Sequence, residues 1–177
     1  MTFIGTENAT VWLNVMEISV YGVAVTQPET VQANITGNAV AGSWANDRVG
    51  NSSMGPELSY DGNENTKWNP AVTGFNSNAS IIYTLDKKYD LSRLVMIFGS
   101  REHYITVSVS ADGENYTEVA TINSTNAAEY YTDNTCTLND LTVENVKYIQ
   151  VTFIGTENNT TWLNVMEVCA EGTVSAP

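Results

Sequence analysis

The sequence predicts an all-β domain with the architecture of a sandwich or a barrel, and three observations support this class. Helical periodicity is nearly absent from the 177 residues. Short runs rich in β-branched and aromatic residues recur along the chain, and turns rich in Gly, Asn and Asp separate them. In the run ITVSVS (105–110) apolar and polar residues alternate strictly, which is the period of a strand with one buried face.

Seven segments in the second half of the chain have the character of strands. They are 80–85, 91–99, 104–113, 116–123, 129–138, 146–155 and 163–172. The segment ADGENY supplies an Asp-Gly hairpin turn between the third and fourth of them. Residues 35–79 are instead rich in Asn, Gly and Ser and show little alternation. We therefore expect a long, loop-rich stretch there, of the kind that carries function or binds a metal.

The chain contains one long internal repeat, because residues 2–22 match residues 152–172 at 15 of 21 positions. The offset of 150 residues is too long for a solenoid unit and fits one ordinary domain. A tandem array of near-identical domains is the simplest interpretation. The expected parts are the last strands of a preceding copy (1–22), a linker (23–33), a complete domain (34–172) and a tail (173–177). Residues 1–22 could pair within their own chain or exchange with a second chain to form a dimer.

The charge of the chain excludes two classes of partner. It has 7 Lys and Arg against 20 Asp and Glu, a net charge of −13, whereas nucleic acids and anionic membranes need clustered cations. No run of 18 apolar residues exists, so membrane insertion is not expected. An acidic chain rich in Asn and Thr is typical of an extracellular protein, secreted or at the cell surface, or of one that handles Ca²⁺; an acidic surface that serves only solubility is the alternative. Cys136 and Cys169 are too few for a disulfide framework and are interpreted as small apolar strand residues.

The segment LSYDGNENTKWNP (58–70) concentrates oxygen ligands. Asp61, Asn63 and Thr66 offer hard oxygens from one short loop, and Ca²⁺ takes six to eight such oxygens. The loop alone lacks enough charge, so a further carboxylate would have to come from elsewhere in the chain. On these residues alone, a type I′ turn without a metal is the simpler interpretation.

Four parts of the sequence, taken in order, resemble the discoidin or F5/8 type C domain. They are DGNENTKW, IIYTLDKKYDLSRLVMIFGS, YITVSVSADGENYTEV and KYIQVTFIG with TTWLNVMEVCAEG. Within that family they are most similar to the bacterial carbohydrate-binding modules of family 32. The resemblance covers residues 34–172 and implies an eight-stranded, galactose-binding-domain-like jelly-roll β-sandwich. It also implies a structural Ca²⁺ held by Asp61, Thr66 and Glu167, with carbonyls of nearby residues such as Asn63 completing the shell.

The resemblance places a sugar site on loops at one end of the sandwich. Residues 41–48, 99–104 and 155–162 form the three loops that could contribute. A sugar site combines an aromatic face with a few planar polar groups. The candidate ligand-binding residues on these loops are Trp44, Arg101, His103, Tyr104 and Trp162.

Several of these candidates have a second interpretation. Trp44 could be exposed or buried, and Trp162 could be a binding platform or part of the core. His103 could bond a sugar hydroxyl or be a solvated loop residue. Arg101 matches the Arg of sugar-binding relatives but could pair with a surface carboxylate, and no Asn follows it before the next strand, which departs from the galactose-type pattern.

Nothing in the sequence supports catalysis. It has no carboxylate pair in an evident cleft, no Gly-rich phosphate loop and no Cys/His cluster. The expected function is that of a non-catalytic carbohydrate-binding module, one of a tandem array in a secreted or surface bacterial protein, with a galactose-type or hexosamine-type glycan as partner. The alternatives are a protein- or cell-adhesion module that uses the same loops, and a spacer domain with no ligand.

Overall fold

The computed structural model describes residues 27–74, 77–99, 102–157 and 159–176. The copy of the repeat at residues 1–22, with its expected pairing or exchange, lies outside them, and so does Arg101. The strands are β1 (Val31–Ala33), β2 (Ile35–Ala41), β3 (Trp44–Asn46), β4 (Ala71–Val72), β5 (Ser80–Phe98), β6 (His103–Ser110), β7 (Thr117–Ile122), β8 (Tyr131–Thr132), β9 (Thr135–Leu138), β10 (Val143–Thr156) and β11 (Val165–Val174). A 3₁₀ helix, Pro56–Ser59, precedes β4, and a single helical turn, α1 (Ala127–Tyr130), precedes β8.

The strands form two antiparallel layers that share β5. In its first half Ile82 lies opposite Ala39 of β2 and Gln150 of β10. In its second half Met96 lies opposite Val168 of β11 and Cys136 of β9. One layer therefore has the order β2-β5-β10-β6-β7 and the other β1-β11-β5-β9-β8. The all-β sandwich that the sequence predicts is confirmed.

The core lies between the layers because alternate side chains of each strand point inward. In β6 the buried positions keep strict parity from His103 through Ile105 and Val107 to Val109. The same parity in β5 and β10 supplies Ile81, Tyr83, Leu85, Ile149, Val151 and Phe153, all at most 2% exposed. Burial of each of these apolar side chains stabilises the fold by about 1.5–3 kcal/mol.

The first and last residues of β5 lie at the same end of the sandwich. Next to its first residue, the carbonyl oxygen of Ala79 accepts a hydrogen bond of 2.9 Å from the Phe153 N–H. At its last residue, the Phe98 ring lies 4.5 Å from the His103 ring, which in turn lies 6.4 Å from the ring of Phe153. Both ends of the 19-residue strand therefore lie near Phe153 of β10, one through its backbone N–H and the other through the His103 ring.

The sequence places some strand boundaries incorrectly. The segments 80–85 and 91–99 are one strand, and the segment 129–138 divides into the end of α1, β8 and β9 around a turn at Asp133, whose φ is 53°. The stretch 35–79 was expected to be loop-rich, yet it begins with the seven-residue strand β2. This strand escapes the alternation test because none of its residues is fully buried, and its place in the sheet comes from pairing with β5.

The domain also begins before the predicted boundary at residue 34. Residues 31–33, the end of the predicted linker, form β1, in which Val31 pairs with Gly172 and Ala33 with Ala170. At the other end β11 continues to Val174, inside the predicted tail. Cys136 and Cys169 are free thiols on strands, as predicted. No described helix is long and apolar enough to cross a membrane.

The turn between β6 and β7 is held by one carboxylate. Asp112 Oδ1 accepts the backbone N–H groups of Glu114 and Asn115, each at 2.8 Å. Asp112 Oδ2 accepts the side-chain amide of Asn115 at 2.8 Å, and Gly113 adopts the left-handed φ of 81° that the turn requires. The hydrogen bonds from Asn115 and Glu114 lower the pKa of Asp112 below its ordinary value.

This turn predicts a pH-dependent effect of the substitution Asp112→Ala. The pKa of Asp112 is lower in the folded than in the unfolded protein, so its stabilisation is present above the unfolded value of about 3.9 and is lost as the pH falls further. We expect the melting temperature of Asp112→Ala to lie below that of the unsubstituted protein at pH 7, and the gap to close below about pH 4. Melts followed by circular dichroism, with Glu114→Ala as the control in the same turn, measure this; a gap that is constant from pH 7 to pH 2.5 would contradict it.

Candidate ligand and metal sites

Backbone hydrogen bonds fix the loop that carries Trp162. The Val72 N–H donates to the carbonyl of Thr161 at 2.9 Å, and the Leu163 N–H donates to the carbonyl of Pro70 at 3.0 Å. Trp162 itself forms an isolated bridge with Ala71. The residues around Trp162 thus extend the short β4 strand, and the indole side chain remains 45% exposed.

Beneath this loop lies an aromatic cluster formed by Trp44, Trp68, Phe98, His103 and Phe153. Trp68 is completely buried, and its ring lies 5.1 Å from Trp44 and 6.2 Å from Phe153. The Trp68 Nε1–H donates to the carbonyl of Asp47 at 2.7 Å, so its polar atom is satisfied. The cluster fills the end of the core and anchors the loop after β3 to it.

Trp44 belongs to this cluster and is not an exposed platform. Its side chain is half-buried, and its ring also lies 5.9 Å from Phe153. The Trp44 Nε1–H donates to the carbonyl of Ala41, the last residue of β2, at 2.9 Å. The Trp44 ring packs on the core and its Nε1–H is already hydrogen-bonded. Trp44 is therefore poorly placed to stack against a sugar.

His103 is a core residue, which corrects the expectation of a loop histidine that faces a ligand. It is 0% exposed and packs edge-on against Phe98. Its Nε2 accepts the Asn164 N–H at 3.4 Å, and the Tyr131 hydroxyl donates to its carbonyl. The physical reason is parity: β6 begins at His103, so this residue shares the buried face of Ile105. The predicted strand began one residue too late to show this.

Tyr104 points to the opposite face of β6 and is half-buried. Burial, together with the nearby carboxylates of Glu102 and Glu157, raises the pKa of its phenol. Of the five candidate residues, Trp44 and His103 lie in the aromatic cluster, Trp162 lies exposed on the adjacent loop, and Arg101 lies outside the described residues.

Arg48 is a site residue to which the sequence analysis assigned no role. Its guanidinium carbon lies 5.6 Å from the centroid of the Trp162 ring, a distance typical of a cation–π contact. The backbone of Arg48 is fixed in a left-handed conformation (φ 55°), and its N–H donates to Asn46 Oδ1 at 3.1 Å. Its position at the end of the loop 41–48, in a chain with only 7 Lys and Arg, is the signal that could have identified it.

The second candidate site is the loop 61–66, where oxygen atoms crowd one hydroxyl. Thr66 Oγ1 lies 3.0 and 2.8 Å from the two carboxylate oxygens of Asp61 and 2.8 Å from the carbonyl oxygen of Asn63. A hydroxyl has a single proton, so it can donate to only one of these three acceptors at a time. Two of the acceptors also receive backbone N–H groups of the loop, Asp61 Oδ1 from Asn63 and the Asn63 carbonyl from Thr66, so the loop draws several oxygens close together.

Glu167 of β11 joins this loop from about 100 residues away in the sequence. It is 5% exposed, and its Oε2 accepts the Gly62 N–H at 3.0 Å. A register shift between Val165 and Glu167, where β11 pairs with β5, breaks the alternation and leaves both Glu167 and Val168 buried. Burial raises the pKa of Glu167, hydrogen bonds such as that from Gly62 oppose this, and the charge of Asp61 adds to the increase.

The four residues predicted to hold a metal therefore lie together, and their donor atoms are all oxygens. Asp61, Thr66, the Asn63 carbonyl and Glu167 provide two carboxylates, one hydroxyl and one carbonyl. Hard cations such as Ca²⁺ prefer this donor set. Within the described ranges no group of three or more His, Cys, Asp or Glu could hold a metal, so a cation here would depend on backbone and hydroxyl oxygens. A groove of about 340 Å³, lined by Asn34, Tyr60, Asp61 and Glu167 among others, lies beside the loop.

The fold and these loops define an antiparallel β-sandwich domain with candidate sites at one end. Residues 26–168 match the model of the F5/8 type C domain. The chain belongs to the F5/8 type C domain family. A search of curated proteins returns no match.

Several solved structures share the fold at low sequence identity. A pectin-binding carbohydrate-binding module is similar with a TM-score of 0.59 and 20% identity over 78% of this chain and 91% of that chain. The CBM32 of AlyQ in complex with 4,5-unsaturated mannuronic acid has a TM-score of 0.58 and 24% identity over 79% of this chain and 97% of that chain. Chitosan-binding module 1 of a chitosanase/glucanase from Paenibacillus sp. IK-5 has a TM-score of 0.60 and 14% identity, over 80% of this chain and 98% of that chain.

The buried hydrogen bond of Trp68 predicts a stability difference between two matched substitutions. Trp68→Phe removes the donor to the Asp47 carbonyl in a fully buried position, so we expect a loss of about 1–3 kcal/mol in the free energy of unfolding. Trp44→Phe removes an indole donor from a half-buried side chain whose partner carbonyl belongs to Ala41, the exposed last residue of β2. The loss in the free energy of unfolding should therefore be smaller for this variant. Urea denaturation of both variants measures the two values, and equal losses would contradict the assigned role of Trp68.

Proposed function

We propose that this domain is a non-catalytic glycan-binding module whose binding surface is centred on Trp162. The observation that carries the proposal is the position of this indole, 45% exposed on a loop that backbone hydrogen bonds hold rigid at one end of the sandwich. A flat aromatic face on a fixed loop is suited to the C–H face of a sugar ring. The carbohydrate-binding modules that share the fold support the same function.

The exposed apolar surface favours a small ligand over a protein partner. In the described part of the chain the exposed large hydrophobic side chains are Val31, Val49, Trp162 and Val174. Val31 and Val174 lie at the paired ends of β1 and β11, and Val49 follows Arg48, which contacts Trp162, so the exposed apolar side chains are divided between two places. A protein-binding patch is instead a large contiguous apolar area. The adhesion alternative therefore has less support than glycan binding. An extracellular location and a tandem arrangement remain proposals that rest on the composition and on the repeat of residues 2–22.

The proposal predicts that Trp162→Ala abolishes glycan binding and leaves the fold intact. Loss of an aromatic anchor weakens binding by at least about tenfold, while a substitution at an exposed position changes stability by about 0.5 kcal/mol or less. Binding is measured on a glycan array and then by isothermal titration, beginning with galactose, N-acetylgalactosamine, N-acetylglucosamine and fucose.

Val174→Ala is the matched control for this experiment. Val174 is 47% exposed, close to the value for Trp162, but it lies at the far end of β11. It should bind glycans as the unsubstituted protein does. If Trp162→Ala retains the affinity of the control, or if no glycan binds, the proposal is wrong.

We also propose that Asp61, Asn63, Thr66 and Glu167 bind a structural Ca²⁺. The support is the cluster of oxygen atoms around Thr66 Oγ1 and the burial of the Glu167 carboxylate close to Asp61. A cation at this position would neutralise the two carboxylates and join the loop 61–66 to β11. The ion would contribute stability and orientation to the loop and no chemistry.

Chelation should therefore lower the stability of the protein. An ion that binds only the folded state stabilises it by about 2.7 kcal/mol at a hundredfold excess over its Kd. For a domain of this size, this corresponds to a fall of roughly 5–10 °C in the melting temperature when EDTA is added. Glu167→Gln keeps an acceptor for the Gly62 N–H but removes the charge, so its melt should respond little to EDTA. A melt of the unsubstituted protein that is indifferent to both Ca²⁺ and EDTA would refute the site.

A further inference from the structure

The contact between Arg48 and Trp162 places a positive charge on the proposed glycan surface. The guanidinium carbon lies 5.6 Å from the centroid of the indole ring. The loop that carries Arg48 is fixed on the core through the hydrogen bond from Trp68 Nε1 to the carbonyl of Asp47. The cation is therefore held beside the one exposed aromatic ring that the loop 157–164 presents.

The guanidinium of Arg48 is incompletely satisfied within the described residues. Its Nε is buried and has no hydrogen-bond partner there. Buried side-chain donors nearly always have a partner, so the unpaired Nε–H shows that the described residues leave this guanidinium incompletely hydrogen-bonded. The guanidinium lies over the Trp162 ring, and its N–H groups can donate to a planar partner.

No carboxylate of the described chain neutralises Arg48. The ion pair in the described ranges joins Arg93 to Glu171 at 2.9 Å. Asp47, the neighbour of Arg48 in the sequence, uses Oδ1 to accept the Val49 N–H at 3.2 Å. Within the described residues Arg48 therefore lies beside an aromatic ring with no carboxylate partner, an arrangement that the carboxylate of a ligand would complete.

We propose that the glycan bound at Trp162 is a carboxylate-bearing one, an oligouronate, and that Arg48 binds its carboxylate. This inference rests on the proposed glycan-binding function and specifies its ligand class. An oligouronate presents the two groups that the surface would recognise: apolar C–H faces for the indole and a carboxylate on each ring for the guanidinium. Arginine matches a carboxylate with two parallel N–H groups, which a neutral hydroxyl cannot use in the same way.

The net charge of −13 opposes the approach of any anion, so the recognition must act at short range. At physiological ionic strength the Debye length is about 8 Å, which confines the repulsion of distant carboxylates. A direct contact with Arg48 survives this screening. We therefore expect measurable binding at physiological salt, without the long-range steering that a basic surface would provide.

The test compares one trisaccharide in two charge states. Isothermal titration at physiological salt is carried out with a galacturonate trisaccharide, with the same trisaccharide methyl-esterified on its carboxyl groups, and with a mannuronate trisaccharide. The unsubstituted protein should bind at least one acid form, and the galacturonate at least about tenfold more tightly than its ester if galacturonate is the ligand. Binding of mannuronate alone would assign the uronate type and still support the inference.

Substitutions at Arg48 and Trp162 separate the contribution of the guanidinium charge from that of the aromatic ring. Arg48→Gln should remove the preference for the acid over the ester, whereas Arg48→Lys, which keeps the charge and loses the planar fork, should retain part of it. Trp162→Ala should weaken binding of acid and ester alike. Thermal melts verify that each variant is folded; if Arg48→Gln does not fold, the comparison of acid and ester on the unsubstituted protein decides alone.

The outcomes distinguish this inference from the proposed function. If neutral glycans bind through Trp162 and the acid has no advantage over its ester, the module binds glycans, Arg48 only supports the indole, and the inference is overturned. If Arg48→Gln keeps the acid preference, the carboxylate contact is elsewhere and the inference is also wrong. If no glycan of either kind binds, both the inference and the proposed function fail.

Discussion

The sandwich depends on a single strand that belongs to both of its layers. Because β5 pairs with β2 and β10 in its first half and with β11 and β9 in its second, neither layer can form its full hydrogen-bond network without it. Because both ends of β5 lie at the same end of the sandwich, this strand also sets the position of the candidate ligand site. Ala79, just before β5, accepts the Phe153 N–H, and Phe98 at the end of β5 packs on His103, which packs on Phe153, so the aromatic cluster lies where both ends of β5 meet β10.

The strands that the sequence predicted best are those with one buried face. In β6 and β10 the apolar period of two follows directly from burial between the layers, and the predicted segments overlap the observed strands almost completely. β2 gave no such pattern because none of its residues is fully buried and several are Gly, Ala or polar, and its pairing with β5 comes from the fold as a whole. The single turn of α1 and the division of 129–138 depend on tertiary packing around Tyr131, which hydrogen-bonds with the backbone of His103.

The candidate sites differ in how far the sequence could predict them. The resemblance to a family named Asp61, Asn63, Thr66 and Glu167, and the structure brings these residues together through the register shift in β11. The aromatic candidates depended on which face each residue occupies. Continuation of the β6 parity by one residue would have placed His103 in the core. The contact between Arg48 and Trp162 joins loops more than 100 residues apart in the chain, and no periodicity within either loop encodes it.

The pairing of β1 with β11 has a mechanical consequence. Val31 lies opposite Gly172, so polypeptide on either side of the domain joins it at neighbouring points, at the far end of β11 from Trp162. Ten residues of strand separate the two ends of β11 by about 33 Å. A force applied through flanking chain would load the hydrogen bonds between β1 and β11 one after another, as in opening a zipper, and not all at once in shear. The first bonds to open would be those of the three-residue β1, whose release would uncover the groove beside Glu167 while Trp162 remains in place.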